Sequence, residues 1–493
     1  MWYFDRMERE KPLDRRAEYF HALDAVRNIA DIQRKWDFRN KLSGQPAGVL
    51  LAITPRFMLD NPEMFVIPEE LEVFDKENNF AYRTHNNAMF FRDVVRTLAN
   101  ANEHQDSLLS DFLREATDEA FSELLAYAFM ALDGQDFNIR RHPTLLYRAF
   151  IANIPRMIRQ EGMSAGEHYT EPWIADLMAE LVNIEDGDLV YDNACGMGIM
   201  ASVATVSTKA VVYAQDCVFQ YAAMAHVLML MIGKHESRVS VGDSILDPSI
   251  GGDYGPFSKF LIEAPFGFRT REFKEFQGYG VYNDFRYPDL FRTDYRNDQW
   301  AFVRQAFKVL SEKGSGAALV NIAMLNRDGR QYRDTRAVLV EEGFISAVIE
   351  LPVNCRSFTG IKYSIVLFDR VEKHEAVYFL DLGRKEVESY FVRNSGKVEL
   401  RYGESEKVAG LVHDRREIEG VSKIVPISDI IKNDYRLSVG TYIRDNTNKE
   451  EAIRAGASSW ELREKLKREY VKADTELEAL LAEYAGFRNN GRG

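Results

Sequence analysis

The segment Val190-Tyr191-Asp192-Asn193-Ala194-Cys195-Gly196-Met197-Gly198-Ile199-Met200 is the stretch around which this chain is organised. An apolar run ends in Asp192, a turn of small residues with two glycines follows, and a helix-like segment continues to Val206. This pattern is typical of the strand, turn and helix that open a dinucleotide-type βαβ unit, where glycines permit a sharp turn and the helix N-terminus offers N–H groups to a ligand. A two-glycine turn also occurs as a purely structural connection, so the surrounding chain must decide between the two interpretations.

The composition is that of a soluble globular protein with roughly two to four domains, since 46% of the 493 residues are hydrophobic and 28% are charged. We expect neither a signal peptide at the N-terminus nor a membrane span. Three cysteines, Cys195, Cys217 and Cys355, form neither a disulfide framework nor a zinc cluster, which favours a cytoplasmic location and no bound metal. The net charge of −13 disfavours unaided DNA binding, because phosphate contacts need Lys and Arg.

Strands and helices alternate in the central part of the chain. The predicted strands are 188–192, 210–215, 238–242, 259–263, 316–321, 345–350 and 363–369, and the predicted helices are 172–183, 198–207, 218–232, 298–312 and 332–342. The alternation predicts an α/β fold, an open and mostly parallel sheet with helices on both faces, whose ligands bind beyond the carboxyl ends of the strands. Helical stripes dominate before residue 160, with one short strand expected at 49–53.

Polar side chains follow four consecutive predicted strands. The strand ends are Asp192, Gln215-Asp216, Gly242-Asp243-Ser244 and Glu263-Ala264-Pro265-Phe266-Gly267. Asp216 follows the first strand by some two dozen residues, where a ribose-binding acid is expected in such folds. A carboxylate and a hydroxyl at the third end suit the edge of an adenine. The set is much less expected by chance than any one member, and it favours a nucleoside-containing ligand.

In order along the chain, these segments resemble the modification (methyltransferase) subunit of type I restriction–modification systems, which transfers a methyl group from S-adenosylmethionine to adenine N6 in DNA. The resemblance covers about 166–445. The segments that carry it are Tyr169-Thr170-Glu171-Pro172, Asp192-x-x-Cys195-Gly196-x-Gly198, Gln215-Asp216, Gly242-Asp243-Ser244, Pro265-Phe266-Gly267, Leu351-Pro352, Phe358-Thr359-Gly360-Ile361, Ser364-Ile365-Val366-Leu367 and Asn433-Asp434-Tyr435-Arg436-Leu437-Ser438.

The resemblance implies an S-adenosylmethionine-dependent methyltransferase fold of the Rossmann-like kind and a role for each matching residue. Tyr169 and Thr170 would contact the methionine part of the cofactor, and Asp216 would bind the ribose hydroxyls. The methionine and ribose side would be lined by Asp192, Cys195, Gly196 and Gly198, and the adenine would be read by Asp243 and Ser244. Phe266 would stack on a target base that has left the duplex.

One departure from the family concerns the catalytic tetrad. Glu263-Ala264-Pro265-Phe266 stands where the family has Asn/Asp-Pro-Pro-Phe/Tyr. A side-chain oxygen and a backbone carbonyl hold the two hydrogens of the adenine amino group and so favour a nucleophilic geometry. Glu263 still offers carboxylate oxygens, one methylene further out, and Ala264 keeps its carbonyl but lacks the fixed φ of proline. Methyl transfer by this chain therefore stays open, and a scaffold role is the alternative.

Two further segments favour partners. Basic and aromatic residues interleave over 268–297, and Arg269, Arg271, Lys274 and Arg286 are the candidate DNA contacts, although this loop could equally pack on its own domain. A terminal amphipathic helix over 455–487 is predicted to bind a partner helix, or else to pack on its own protein. In the family this region meets the DNA-specificity subunit.

The predicted domains are a helical N-terminal domain at 1–160, a methyltransferase-like α/β domain at 161–372, an appendage completing it at 373–450, and the C-terminal helix at 455–487. The predicted partners are DNA and a specificity subunit, with a homo-oligomer left open and no membrane. A non-catalytic binding module in a defence complex remains the main alternative. A nucleotide-dependent oxidoreductase is a weaker one, because the turn lacks a third glycine.

Overall fold

The computed structural model describes residues 14–35, 45–72, 88–116, 121–161, 169–245, 255–265, 299–356, 360–394 and 396–443. The predictions for Phe266, for the 268–297 loop and for the C-terminal helix lie outside these ranges. Met1–Tyr442 forms one compact unit, and all elements below belong to it.

Every described element before residue 162 is a helix. These are α1 (Asp14–Lys35), α2 (Gln45–Asp60), α3 (Glu69–Glu72), α4 (Ala88–Asn102), α5 (Ser107–Glu115), α6 (Ser122–Ala131) and α7 (Leu145–Glu161). The strand predicted at 49–53 is wrong, because these residues lie inside α2. Nearly all of α2 is buried, and a helix buried on all sides has a continuous apolar run that periodicity cannot distinguish from a strand.

The second part of the unit alternates strands and helices as the sequence predicts. Its strands are β1 (Leu189–Asp192), β2 (Val211–Asp216), β3 (Arg238–Val241), β4 (Phe257–Glu263), β5 (Leu310–Asn321), β6 (Ile345–Glu350), β7 (Tyr363–Asp369), β8 (Ala376–Asp381), β9 (Phe391–Asn394), β10 (Lys397–Leu400) and β11 (Ser422–Pro426). Its helices are α8 (Pro172–Val182), α9 (Ile199–Thr205), α10 (Phe219–Met231), α11 (Trp300–Val309), α12 (Ile322–Asn326), α13 (Arg330–Glu341), α14 (Ser405–His413), α15 (Ile427–Lys432) and α16 (Val439–Tyr442), with a 3₁₀ helix at Lys385–Tyr390.

Nine strands form one sheet in the order β11-β8-β6-β7-β5-β4-β1-β2-β3, and β9 and β10 form a separate hairpin. The pairs β1–β2, β2–β3, β1–β4, β4–β5 and β6–β8 are parallel. β7 runs antiparallel to both β5 and β6, and β11 runs antiparallel to β8. After β1 the chain adds β2 and β3 on one side of β1, and it then adds β4 on the other side. The carboxyl ends of β1 and β4 therefore flank the switch point where ligands bind in such sheets.

Both faces of the central strands are covered. Alternate residues such as Leu261, Leu319 and Ile349 belong to the same buried cluster as α8, α9 and α10. The intervening residues Ile262 and Val320 are equally buried but lie outside that cluster, on the face that α11 covers through its contacts with β4 and β5. Because side chains alternate along a strand, a sheet buried on both faces has the nearly continuous apolar strands seen here.

The N-terminal helices α2, α5 and α7 pack against α10. Polar contacts join the same layers: Tyr147 on α7 donates to Ser202 Oγ on α9 at 3.0 Å, and His226 Nε2 on α10 lies 2.5 Å from Asp106 Oδ2 at the start of α5. The helical region is thus attached to the helices that follow β1 and β2, next to the switch point.

Candidate cofactor and catalytic site

The turn after β1 is closed by hydrogen bonds to the end of β2. The Cys195 amide donates to the Gln215 carbonyl at 3.1 Å, and the Gly196 amide donates to Asp216 Oδ2 at 2.9 Å. Asp216 Oδ1 accepts from the Val218 amide at 2.9 Å. The ends of the two parallel strands are therefore joined by the residues that the sequence singled out.

Gly198 has two reasons to be glycine. Its φ is +78°, in the left-handed region, and a Cβ added there would lie 2.5 Å from the Cα of Ala225 on α10. Any side chain would thus strain the backbone and separate α9 from α10. The second glycine of the motif sets both the turn after β1 and the packing of α9 against α10.

The strand-end acids lie close together at one edge of the sheet. Asp192 is 1% exposed, and burial raises its pKa to about 8. The Ala194 amide lowers that pKa, whereas the nearby charges of Asp216 and Glu263 raise it. Burial also raises the pKa of the Cys217 thiol, and the charges of Asp216 and Asp243 raise it further. Acids from the ends of the parallel strands β1, β2, β3 and β4 therefore lie along one edge of the sheet.

Two predicted adenine-side residues have local partners. Asp243 Oδ1 accepts from the Ile245 amide at 2.9 Å. Ser244 is buried and donates its hydroxyl to the Asn193 carbonyl at 2.5 Å, which joins the end of β3 to the turn after β1. Asn193 in turn donates to Gln305 Oε1 on α11 at 2.6 Å. The Ser244 hydroxyl hydrogen is thus used inside the chain, and its oxygen keeps the ability to accept.

Tyr169 and Thr170 lie beside the end of β4, on the segment that leads into α8. The Tyr169 ring is 1% exposed, and burial, together with the Glu171 charge, raises its pKa well above the usual value. Thr170 donates its hydroxyl to Glu263 Oε2 at 2.6 Å. The sequence assigned both residues to the cofactor, whereas the structure gives Thr170 a direct contact with the first tetrad residue.

Arg356 is one of the site residues that sequence reasoning missed. Its side chain is 6% exposed and forms an ion pair with Glu263, with Nη1 on Oε1. Arg356 Nη2 donates to the Tyr169 carbonyl at 2.7 Å, and the guanidinium lies 4.8 Å from the centre of the Tyr363 ring. No local pattern marks this arginine, and the only signal was a glutamate in a buried tetrad, which needs a cationic partner.

The backbone carbonyls of the tetrad also have a donor within the chain. Gln299 Nε2 lies 3.3 Å from the Ala264 carbonyl oxygen and 3.0 Å from that of Pro265. Asn321, at the end of β5, donates to Gln299 Oε1 at 2.6 Å and so holds the amide in place. Neither Gln299 nor Asn321 was predicted from the sequence.

The structure thus brings together the predicted residues at the ends of β1 to β4 with Thr170 and the Tyr169 backbone. Phe266 and the candidate DNA contacts Arg269, Arg271, Lys274 and Arg286 lie outside the described residues. Within the described ranges, no group of three or more His, Cys, Asp or Glu residues could hold a metal ion. None of the helices in those ranges has both the length and the hydropathy of a membrane span.

Solved structures of type I restriction–modification systems share this fold. The chain covers 99% of the type I restriction–modification methyltransferase subunit from Streptococcus thermophilus, using 86% of its own length, with a TM-score of 0.69 and 18% identity. A chain from a structure on complex assembly and conformational transition of the type I R-M system gives a TM-score of 0.59 at 18% identity, covering 95% of this chain and 98% of that one.

The sequence comparisons define the family. The profile described as N-6 DNA Methylase matches residues 146–451, and the chain therefore belongs to the N-6 DNA methylase family. Over 460 residues it is 24% identical to the type I restriction enzyme MjaVIII methylase subunit of Methanocaldococcus jannaschii, covering 87% of this chain and 77% of that protein. It is 26% identical to the MpnII methylase subunit of Mycoplasma pneumoniae over 59% of this chain, and spans about half (55%) of that relative.

Proposed function

We propose that this chain is the methylating subunit of a type I restriction–modification or related defence system and transfers a methyl group from S-adenosylmethionine to adenine N6 in DNA. The family is one of N-6 DNA methylases, which makes S-adenosylmethionine the expected methyl donor. The observation that carries the proposal is the meeting of strand-end acids at the switch point of the sheet, where Asp216 accepts the Gly196 amide of the turn after β1 and where Asp216 and Glu263 both raise the pKa of Asp192.

The chemistry of the side chains fits the cofactor. Each oxygen of Asp216 accepts one backbone amide, which fixes the orientation of the carboxylate, and a carboxylate at this strand end suits the ribose hydroxyls as donors. Asp243 and Ser244 would hold the adenine. The remaining contacts, to the methionine part and the ribose, would come from Tyr169, Thr170, Asp192, Cys195, Gly196 and Gly198. When bound, the cofactor supplies an activated sulfonium methyl group.

The target end would act on the adenine amino group. A Glu263 oxygen and the Ala264 carbonyl would accept its two hydrogens and direct its lone pair. Phe266 would stack on the extruded base. Arg269, Arg271, Lys274 and Arg286 would contact DNA, and an acidic chain of net charge −13 would depend on a partner for much of its affinity.

Relatives of this chain belong to type I systems that combine several subunits. We propose that the C-terminal helix at 455–487 binds a DNA-specificity subunit, with a homo-oligomer as a further arrangement. The division into a helical domain at 1–160, a methyltransferase domain at 161–372 and an appendage at 373–450 belongs to the same proposal.

The test is transfer of tritiated methyl groups from S-adenosylmethionine to DNA by the chain combined with its specificity subunit. We expect label in N6-methyladenine and a loss of about 100-fold or more for Glu263→Ala, which removes the side-chain acceptor. Absence of label from the wild-type complex, with the cofactor bound in calorimetry, would contradict methyl transfer and leave cofactor binding intact.

A second candidate function is a non-catalytic scaffold in the same kind of complex. Two observations favour it: both oxygens of Glu263 already have partners inside the chain, and Gln299 occupies the tetrad carbonyls. An inactive wild-type complex that gains methyl transfer through Glu263→Asn would establish this second function, because the change restores the residue usual in the family.

A further inference from the structure

Glutamate at position 263 creates a geometric problem for the proposed reaction. Its carboxylate lies one methylene further from the backbone than that of aspartate and has one more rotatable bond. An acceptor that is misplaced by about 1 Å can cost about 100-fold in rate. A working site with glutamate therefore needs something that holds the carboxylate in one position.

The structure contains such a support, which we call the Thr170–Glu263–Arg356 cluster. Thr170 Oγ1 donates to one carboxylate oxygen at 2.6 Å, and Arg356 Nη1 donates to the other. The two donors are each 93 residues away from Glu263 in sequence, one before and one after. Both oxygens are thus held, which fixes the terminal torsions of the side chain.

Arg356 is itself held by groups that do not include Glu263. Its second terminal nitrogen donates to the Tyr169 carbonyl, and its guanidinium stacks on Tyr363 at 4.8 Å. The planar guanidinium presents its donors in a fixed fork, so an arginine anchored at one nitrogen places the other with little freedom. The position of the Glu263 carboxylate is therefore set by the backbone of the segment before α8 and by the ring that begins β7.

The cluster leaves room for the target amine. An ionised carboxylate has about four acceptor positions, and Thr170 and Arg356 use two of them. The Arg356 guanidinium has donors only, so it holds the carboxylate without adding an acceptor that would compete for the hydrogens of the amine. The neighbours of Glu263 include Asp192, Cys355, Arg356 and Tyr363, and Arg356 is the cation among these four.

We propose that Arg356 is a positioning residue for methyl transfer, which fixes the Glu263 carboxylate so that glutamate can serve where aspartate or asparagine serves in related tetrads. This inference rests on the proposed function. It predicts that kcat for methyl transfer depends on Arg356 only while residue 263 is glutamate.

The test is a double-mutant cycle in the complex with the specificity subunit. Arg356→Gln is expected to lower kcat by about 10- to 100-fold while the KM for DNA and the affinity for S-adenosylmethionine change by less than about threefold. Arg356→Lys should recover only part of kcat, because an ammonium cannot reproduce the fork. In a Glu263→Asn background, Arg356→Gln should cause less than about a threefold further change.

A second readout needs neither cofactor nor DNA. In thermal melts of the unliganded full-length chain, Arg356→Gln and Glu263→Gln should each lower Tm, because each leaves one buried charge without its partner. The double variant should melt higher than the sum of the two shifts predicts. Additive shifts would contradict the ion pair on which the inference depends.

Arg370→Gln is the matched control. Arg370 also donates to a backbone carbonyl, that of Leu310 at 2.7 Å, and stacks on an aromatic ring, Phe307, at 5.1 Å. It lies at the opposite edge of the sheet, where β5 begins, so its loss should affect Tm and leave kcat unchanged. An equal fall in kcat for both arginine variants would indicate a purely structural role for Arg356.

The remaining outcomes separate the inference from the proposed function. A rise in kcat on Arg356→Gln, or an equal loss in the wild-type and Glu263→Asn backgrounds, would overturn the positioning role while methyl transfer stands. A wild-type complex that binds S-adenosylmethionine and transfers no methyl group would overturn both.

Discussion

The two ends of the proposed site, the cofactor end at β1 and β2 and the target end at β4, are held by different kinds of contact. At the cofactor end, the acids at the ends of β1 and β2 accept amides from the turns that follow these neighbouring strands, as Asp216 does from Gly196 and Val218. At the target end, Glu263 is held by two side chains that are each 93 residues distant in sequence. The first arrangement follows from the sheet itself, and the second depends on loops that the sheet brings together.

The two kinds of contact tolerate different changes in sequence. A turn closed by its own backbone amides keeps its shape only with the glycines and acids of the motif, and this chain retains them. The Glu263 carboxylate at the target end is held by side chains from distant segments. We therefore propose that glutamate is accommodated there in place of the shorter aspartate or asparagine because Arg356 fixes the position of its carboxylate. Substitutions at the cofactor end should therefore lower stability or cofactor affinity, and substitutions at the target end should lower kcat.

The largest effect is expected from Gly198→Ala at the cofactor end. Strain at φ +78° and overlap with the Ala225 backbone should together lower the free energy of unfolding by about 3 kcal/mol or more. Gly187→Ala is the matched control, because Gly187 has φ +89° and open space around it, so only about 1–2 kcal/mol of strain is expected. Chemical denaturation measures both, and equal losses would refute the packing role of Gly198.

Asp216→Asn, at the cofactor end, and Glu263→Gln, at the target end, should differ in their effect on the affinity for S-adenosylmethionine. Replacing the ribose-side carboxylate should weaken S-adenosylmethionine binding by about 10- to 100-fold, the loss expected for hydrogen bonds to a charged group. Glu263→Gln should change the same affinity by less than about threefold. Isothermal titration calorimetry gives both values, and an equal weakening by Glu263→Gln would mean that the two ends are one ligand site.

Asp192 should give the chain a pH-dependent stability. Burial raises its pKa to about 8 in the folded chain, so the folded form holds a proton that the unfolded form releases near pH 4. This contribution is fully present below about pH 4 and is lost as the pH rises through about 8, with a slope of up to about 1.4 kcal/mol per pH unit. Asp192→Asn should flatten the profile in urea unfolding between pH 5 and pH 8.

The control for that profile is Asp414→Asn, at an exposed position after α14. It should keep the wild-type slope. An unchanged slope in Asp192→Asn would show that the carboxyl at the end of β1 is ionised in the folded chain, and the effect of burial on its pKa would then have to be weaker than the structure indicates.

The smallest effect is expected from Thr170→Val. Removing one hydrogen bond to Glu263 should lower kcat by about 3- to 10-fold at saturating cofactor, in line with the usual contribution of about 0.5–1.5 kcal/mol. Thr170→Ser keeps the hydroxyl and should restore most of kcat. A loss of cofactor affinity without a change in kcat would instead assign Thr170 to the cofactor end, as the family resemblance implies.

The strands from β1 to β7 and the acids at the ends of the first four could be predicted from the amino-acid sequence. Alternating apolar segments predicted the strands from β1 to β7, and the acids after β1 to β4 had to meet because the carboxyl ends of neighbouring parallel strands share one edge. The glycine motif was readable because a left-handed backbone and a close helix contact both exclude side chains. The strand predicted at 49–53 was wrong because α2 is almost completely buried there, and a helix without a polar face shows no helical period in its sequence.

The contacts that hold Glu263 at the target end could not be predicted from the sequence and are seen in the folded chain. The antiparallel insertion of β7 between β5 and β6 places Tyr363 at the end of the sheet near β4, and the loop before it delivers Arg356 to Glu263. Thr170 and Gln299 reach the tetrad in the same way, from segments with no motif in common. Such contacts depend on where distant segments meet in space, and no local propensity or spacing encodes that meeting.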